Sequence, residues 1–201
     1  LNDSIFLYEI ATGTRVRVTG PETRDWSPSF SADGKYLYFL SDRTLAPIMG
    51  RMDQNHIFVN MTRPYVTLLA AATKSPFAPG DDEDGGASDA EADVVTVVDA
   101  EGLGRRTLVA EGIDAGDYDR LEATASGFAF LQRTEQPFLK YQQVTDRGGE
   151  SLVLWGYDLS TGEASTLMEG INQFHVAADG EHLAYKAGRT YGIAGTSSPF
   201  K

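Results

Sequence analysis

The sequence repeats itself, and the period of the repeat limits what it can fold into. A unit of about 40 residues recurs three times: a strand, a tight turn, a second strand, then a loop and another hairpin. The first halves are I-F-L-Y-E-I-A-T-G-T-R-V-R-V-T (5–19), V-T-V-V-D-A-E-G-L-G-R-R-T-L-V (95–109) and V-L-W-G-Y-D-L-S-T-G-E-A-S-T-L (153–167). The second halves are S-P-S-F-S-A-D-G-K-Y-L-Y-F-L-S (27–41), Y-D-R-L-E-A-T-A-S-G-F-A-F-L-Q (118–132) and I-N-Q-F-H-V-A-A-D-G-E-H-L-A-Y-K (171–186). Apolar and β-branched runs of four to seven residues alternate with glycine-containing turns, and no window of 12 residues carries a sustained helical stripe. The chain reads as all-β.

The turns set the register. Asp33-Gly34 and Asp179-Gly180 supply the positive φ angles of a two-residue hairpin turn, and Ser126-Gly127 serves the same purpose. With Asp33-Gly34 at the tip, Phe30 falls opposite Leu37 and Ser29 opposite Tyr38. Leu37 and Phe39 then point to one side, and Tyr36, Tyr38 and Leu40 to the other. A strand apolar on both faces must be covered on both faces, which a lone hairpin or a single sandwich does not provide. Four-stranded sheets stacked face to face around an axis do, and the repeat has the length of one such blade. The expected architecture is a partial β-propeller, an arc of three to four antiparallel blades spanning residues 1–201. With the D-G hairpins as the inner two strands of each blade, each first-half hairpin completes the blade begun before it, so that 95–109 supplies the outer strands of the first complete blade. The chain then comprises the outer pair of one blade, two complete blades, and the inner part of a fourth. An insertion at 43–93 interrupts the first complete blade, with T-R-P-Y-V-T-L-L-A-A (62–71) as a further strand inside it and Pro64 at the strand's start. Residues 133–150 read as a second loop. Because the chain opens on Leu1 in mid-pattern, it is expected to be a piece of something longer.

Charge narrows the function classes less than it first suggests. The formal net charge is −12, which disfavours nucleic acid and anionic membrane as partners. Yet residues 81–93 hold seven acids and no base, and removing those seven from the 29 acids leaves 22 against 17 bases. A mobile acidic loop is expected at about 73–92. It is not a calcium loop, because Gly80 stands where the first carboxylate ligand belongs when Gly85 is taken as the loop glycine. No apolar run approaches the roughly 20 residues of a spanning helix. With no cysteine there is no disulfide, thiolate metal site or thiol nucleophile. No cofactor is expected. The compartment stays open, cytoplasmic being favoured over periplasmic.

The ordered series of motifs resembles the tricorn protease family. The run F-S-A-D-G-K-Y-L-Y-F-L-S-D-R-T-L-A-P (30–47) carries it, with T-R-P-Y-V-T-L-L (62–69) and S-P-F-A-P (75–79) before the acidic stretch. V-D-A-E-G-L-G-R-R-T-L-V (98–109), G-D-Y-D-R-L-E-A (116–123), Y-D-L-S-T-G-E-A-S-T-L-M-E-G (157–170) and A-A-D-G-E-H-L-A-Y-K (177–186) continue it. The resemblance implies the later blades of the second, seven-bladed propeller of a tricorn-like serine peptidase that degrades oligopeptides. Such a segment is non-catalytic and acts in substrate access, filtering and domain assembly. The implied partners are peptide substrates and further copies of the parent, with self-association of this segment. No catalytic residue carries over, since neither G-x-S-x-G nor H-E-x-x-H occurs. The alternatives are a stand-alone protein-binding propeller scaffold and the propeller of a prolyl-oligopeptidase-type enzyme.

Individual residues read mostly as structure. Arg43 and Trp26 are the candidate substrate-binding residues: a guanidinium fork suits a peptide carboxylate, and an indole can stack a ligand. Against this, Asp42 and Arg43 are also placed to form an ion pair shaping the insertion, and Trp26 and Trp155 to pack between blades. His175 and His182 fall on one face of a hairpin as diagonal neighbours, a structural pair without a third metal ligand. His56 reads as an ordinary insertion residue, and Arg105-Arg106 as an exposed strand opening. No metal site is expected.

Overall fold

The computed structural model describes residues 2–45, 47–49, 56–78, 94–133 and 152–197. The acidic run 81–93, most of the loop at 133–150 and the side chain of His56 lie outside the described residues.

Among the described residues fifteen strands form, almost all in antiparallel blades. They are β1 (Phe6–Glu9), β2 (Thr14–Arg17), β3 (Asp25–Phe30), β4 (Tyr36–Ser41), β5 (Ile48–Met49), β6 (His56–Ile57), β7 (Arg63–Leu68), β8 (Thr107–Val109), β9 (Tyr118–Ala123), β10 (Gly127–Arg133), β11 (Leu152–Asp158), β12 (Glu163–Ile171), β13 (Gln173–Val176), β14 (His182–Ala187) and β15 (Thr190–Gly195). β1 pairs with β2; two complete sheets follow in the orders β3-β4-β7-β8 and β9-β10-β11-β12; β13-β14-β15 makes a three-stranded sheet, and β5-β6 a short separate hairpin. This is the expected arc: an outer pair, two full blades and the inner strands of another.

Register follows from the turns. Gly34 has φ +68° and Gly180 φ +70°, and Phe30 pairs with Leu37 and Ser29 with Tyr38 as expected. Asp33 and Asp179, however, do not share the positive φ. Ser126-Gly127 departs from the expected turn, since neither residue has a positive φ and Gly127 already opens β10. β4 is covered on both sides. Leu37 and Phe39 join Ile5 and Val18 in the core against the β1-β2 pair. Tyr38 and Leu40 join Phe128 and Phe130 in the core against the β9–β12 blade. β10 repeats the arrangement, with Ala129 and Leu131 turned to a third core holding Phe174 and Leu183. Each fully buried Leu or Phe contributes roughly 1.5–3 kcal/mol, so the blade seams are the main source of cohesion.

One strand lies elsewhere than expected. Residues 95–99 do not form the third strand of the first full blade; β7 does, pairing Leu40 with Pro64 and Tyr38 with Val66. An inner position demands two apolar faces, and β7 supplies them: Val66 enters the core facing the β9–β12 blade, and Tyr65, with Leu69 just past the strand, the core facing β1-β2. Val94, Val95 and Val97 stay exposed in an extended segment lying over the Gly34 turn. Arg105 and Arg106 sit in a 3₁₀ turn (Leu103–Arg106) rather than in a strand. Arg106 there donates to the carbonyls of Leu68, Glu101, Leu69 and Asp99, clamping the crossing from β7 to β8.

Candidate functional site

β3, β9 and β13 are each the terminal strand of their sheet, and they are the strands by which successive blades approach one another. Their sequences, D-W-S-P-S-F, Y-D-R-L-E-A and Q-F-H-V, interleave apolar residues with polar ones. The apolar residues Leu121 and Phe174 enter the seams, which leaves Ser29, Glu122 and His175 on the inner wall.

Two bulges shape that wall. On β3, Ser27 and Pro28 together oppose Phe39, between the pairs Trp26–Leu40 and Ser29–Tyr38. On β9, Arg120 is the extra residue between Asp119–Leu131 and Leu121–Phe130. Ser27 has φ +52° and Arg120 φ +45°, a left-handed conformation uncommon for residues other than glycine. Both stand six positions before a hairpin tip, Asp33 or Ser126. The strain therefore stands at one repeat position in the two full blades, where bulges re-aim side chains, and is absent at the corresponding Gln173 of β13. Between the two bulges lies a polar hollow of about 400 Å³ lined by Ser27, Ser29, Asp119, Arg120 and Glu122.

The charges on this wall are mutually engaged. Arg133 reaches Asp119 at 2.9 Å, and the other oxygen of Asp119 accepts the Arg120 N–H at 2.9 Å. The Arg120 Nε donates to Glu122 Oε1 at 2.9 Å, and one of its terminal nitrogens lies 2.8 Å from His175 Nδ1. That ring nitrogen is 3.3 Å from Glu122 Oε1, and the His175 side chain is the most accessible of the three at 61% exposure. The arrangement presents hydrogen-bonding groups to a polar ligand. Among the described residues no three His, Asp or Glu side chains converge on a metal-binding position.

The two candidates named from sequence are not brought together. Trp26 packs, half-buried, into the core facing the β9–β12 blade, with the Arg24 guanidinium 4.6 Å from its ring. Arg43 lies over Phe39 and Tyr65, at 5.3 and 4.8 Å, on the opposite face of the same sheet. Its ion-pair partner is Asp25 at 3.2 Å, while Asp42 accepts a hydrogen bond from Thr62; the expected Asp42–Arg43 pair is replaced by these two. His182 turns to Asp179 at 2.8 Å, so each histidine serves a separate partner. Trp155 donates to Gln132 at 2.7 Å. Sequence reading missed Ser27, Arg120 and Glu122. Their signal was the alignment of the three hairpin tips, which places Ser27 and Arg120 at one repeat position.

A family profile described as "Tricorn protease second beta propeller domain" matches residues 2–197. "Tricorn protease homolog 1" of Streptomyces coelicolor is 32% identical over 170 residues, 80% of this chain and 16% of that protein. "Tricorn protease" of Thermoplasma volcanium is 38% identical over 72 residues, 36% of this chain and 7% of that protein. The chain thus spans only a small part of the length of these relatives. Among solved structures, a crystal structure of the tricorn protease superposes with a TM-score of 0.71 at 19% identity, covering 96% of this chain and 20% of that one.

Proposed function

Since the chain belongs to the tricorn protease family, as part of its second β-propeller domain, we propose that it is a non-catalytic segment of a tricorn-like serine peptidase, controlling the access of oligopeptides to a catalytic centre elsewhere in the parent. The observation that supports this reading best is the inner wall. Its side chains are polar and held by one another, they recur with the blades, and they leave His175 accessible. A surface of this kind can select a polar, extended ligand without cleaving it. Arg43 and Trp26 belong to the proposal as contacts at the two seams of the first full blade, the guanidinium for a carboxylate and the indole for an apolar side chain. The outer faces of the arc take part in domain and subunit assembly.

The test uses the parent enzyme. An Arg120→Ala/His175→Ala variant is expected to change kcat/KM for long oligopeptides while leaving that for a short fluorogenic substrate as it was. An equal change on both, or none on either, would sink the access role. The 201-residue chain alone is expected to leave the same peptides intact, and cleavage by it would overturn the non-catalytic assignment.

A further inference from the structure

The inner wall is made of sheet edges. β3, β9 and β13 each hydrogen-bond to a single neighbouring strand, so their other side carries main-chain donors and acceptors. An extended peptide alongside such an edge meets a template for strand addition. A wall that captured peptides in this way would hold them.

Hydrogen-bond parity identifies the donors that face away from the sheet. Thr124 donates its N–H to the carbonyl of Gly127, and Ala177 to that of His182. The N–H groups of Ala123 and Val176, one residue earlier, therefore point away from β10 and β14. Both are occupied: Ala123 N–H donates to Ser29 Oγ at 3.0 Å, and Val176 N–H to Glu122 Oε2 at 2.6 Å. Ser29 and Glu122 each stand four positions before a hairpin tip, and Ala123 and Val176 each stand three before theirs. Each blade thus lends a side chain from one repeat position to cover the edge donor of the next blade. Elsewhere on the edge, Pro28 has no N–H to offer, and the bulges at Ser27 and Arg120 break the even spacing that an added strand would need.

We propose that the inner wall is built to refuse strand addition. Ser29 and Glu122 are clips that withhold edge donors from a passing peptide, and the two bulges with Pro28 spoil the register for pairing. The proposal rests on the reading of this wall as one that peptides pass, and adds what the wall denies them: main-chain pairing. Discrimination among peptides then falls to side-chain contacts with Arg120, Glu122 and His175.

The experiment compares the protein with its Ser29→Ala/Glu122→Ala variant, and with Glu122→Gln, which keeps an acceptor. Amide hydrogen exchange is read at residues 123 and 176, and binding is read by the anisotropy of a fluorescein-labelled peptide of alternating Thr and Val. In the double variant both amides are expected to exchange about fivefold faster, as the loss of one ordinary hydrogen bond implies. The labelled peptide is expected to bind it about tenfold more tightly than the unaltered protein, the equivalent of one recovered main-chain contact. Glu122→Gln keeps Val176 protected. Unchanged exchange in the double variant overturns the clips. Faster exchange with no gain in peptide binding overturns their role against strand addition. Should the double variant fail to fold, the single variants read each amide separately. None of these readouts involves turnover by a parent enzyme, so failure of the clips and failure of the access role remain distinguishable.

Discussion

Asp25 has a fully buried side chain, and its charge is balanced by Arg43 at 3.2 Å, itself 27% exposed. The Thr23 hydroxyl adds a hydrogen bond, and Phe39 and Tyr65 flank the guanidinium. Breaking such a pair strands a charge in the interior, so Arg43→Ala is expected to cost about 3 kcal/mol or more in urea unfolding. The Asp25→Ala/Arg43→Ala double variant should lose less than the sum of the two single variants; additive losses would show that the two groups do not interact. A second group of carboxylates acts at the turns. Burial alone would raise the pKa of Asp33, but hydrogen bonds from Ser31 and from the Lys35 N–H outweigh it and hold the carboxyl below its ordinary 3.8. Asp158 is likewise raised by burial and lowered further by Ser160 and Thr161, and Asp179 is lowered by His182 and its neighbouring N–H groups. A depressed carboxylate adds stability that is present above its unfolded pKa and lost as pH falls through the folded one. The tertiary circular-dichroism signal is therefore expected to weaken as pH drops below about 4. Asp33→Asn, which keeps the acceptor but cannot titrate, should show a shallower loss.

At the scale of elements, the seams depend on close backbone approach at hairpin tips. Gly180 carries the turn into β14, and a Cβ added there would stand 2.7 Å from the Ala125 nitrogen, whose N–H donates to the Gly180 carbonyl at 2.9 Å. Gly188 also has a positive φ, +59°, but open space around it. Both alanine variants incur the conformational cost of about 1 kcal/mol. Gly180→Ala should lower the melting temperature clearly more than Gly188→Ala, and equal shifts would mean that the seam tolerates the methyl group. These tips were legible in the sequence because D-G dipeptides between alternating runs impose a register locally: Phe30–Leu37 and His175–Ala184 pair as the dipeptides dictate. The third strand of the first full blade was not. Choosing between 62–71 and 95–99 depends on which segment finds cover on two faces, a property of the assembled seams. The bulges on the inner wall were equally hidden, because Ser27 and Arg120 are neither glycine nor asparagine. The partner of Arg43 lies 18 positions away across a sheet, whereas proximity in sequence favoured Asp42.

Across the whole molecule, the arc exposes apolar side chains at both flanks. Tyr8 and Ile10 are 65% and 90% exposed on the β1-β2 pair, and Tyr191 and Ile193 are 74% and 78% exposed on β15. β15 also leaves one edge unpaired among the described residues. Such faces favour association, so sedimentation of the 201-residue chain is expected to show oligomers whose share grows with concentration. Tyr191→Lys/Ile193→Lys should shift the distribution toward monomer, and a monomer at high concentration in the unaltered chain would refute the expectation. The place of β7 in the first full blade carries a further consequence, one of timing. β4 is apolar on both faces, yet the strand that covers its outer edge begins at Arg63, and the one beyond begins at Thr107. A ribosome releasing this chain would present β4 with one face already met by the β1-β2 pair, its outer edge bare until β7 emerges, and its Tyr38 and Leu40 face bare until the β9–β12 blade follows. Closing those stretches costs entropy before any pairing rewards it. The interval that matters for a nascent chain of this design is thus the one before the β9–β12 blade docks, when the Tyr38 and Leu40 face of β4 stands uncovered.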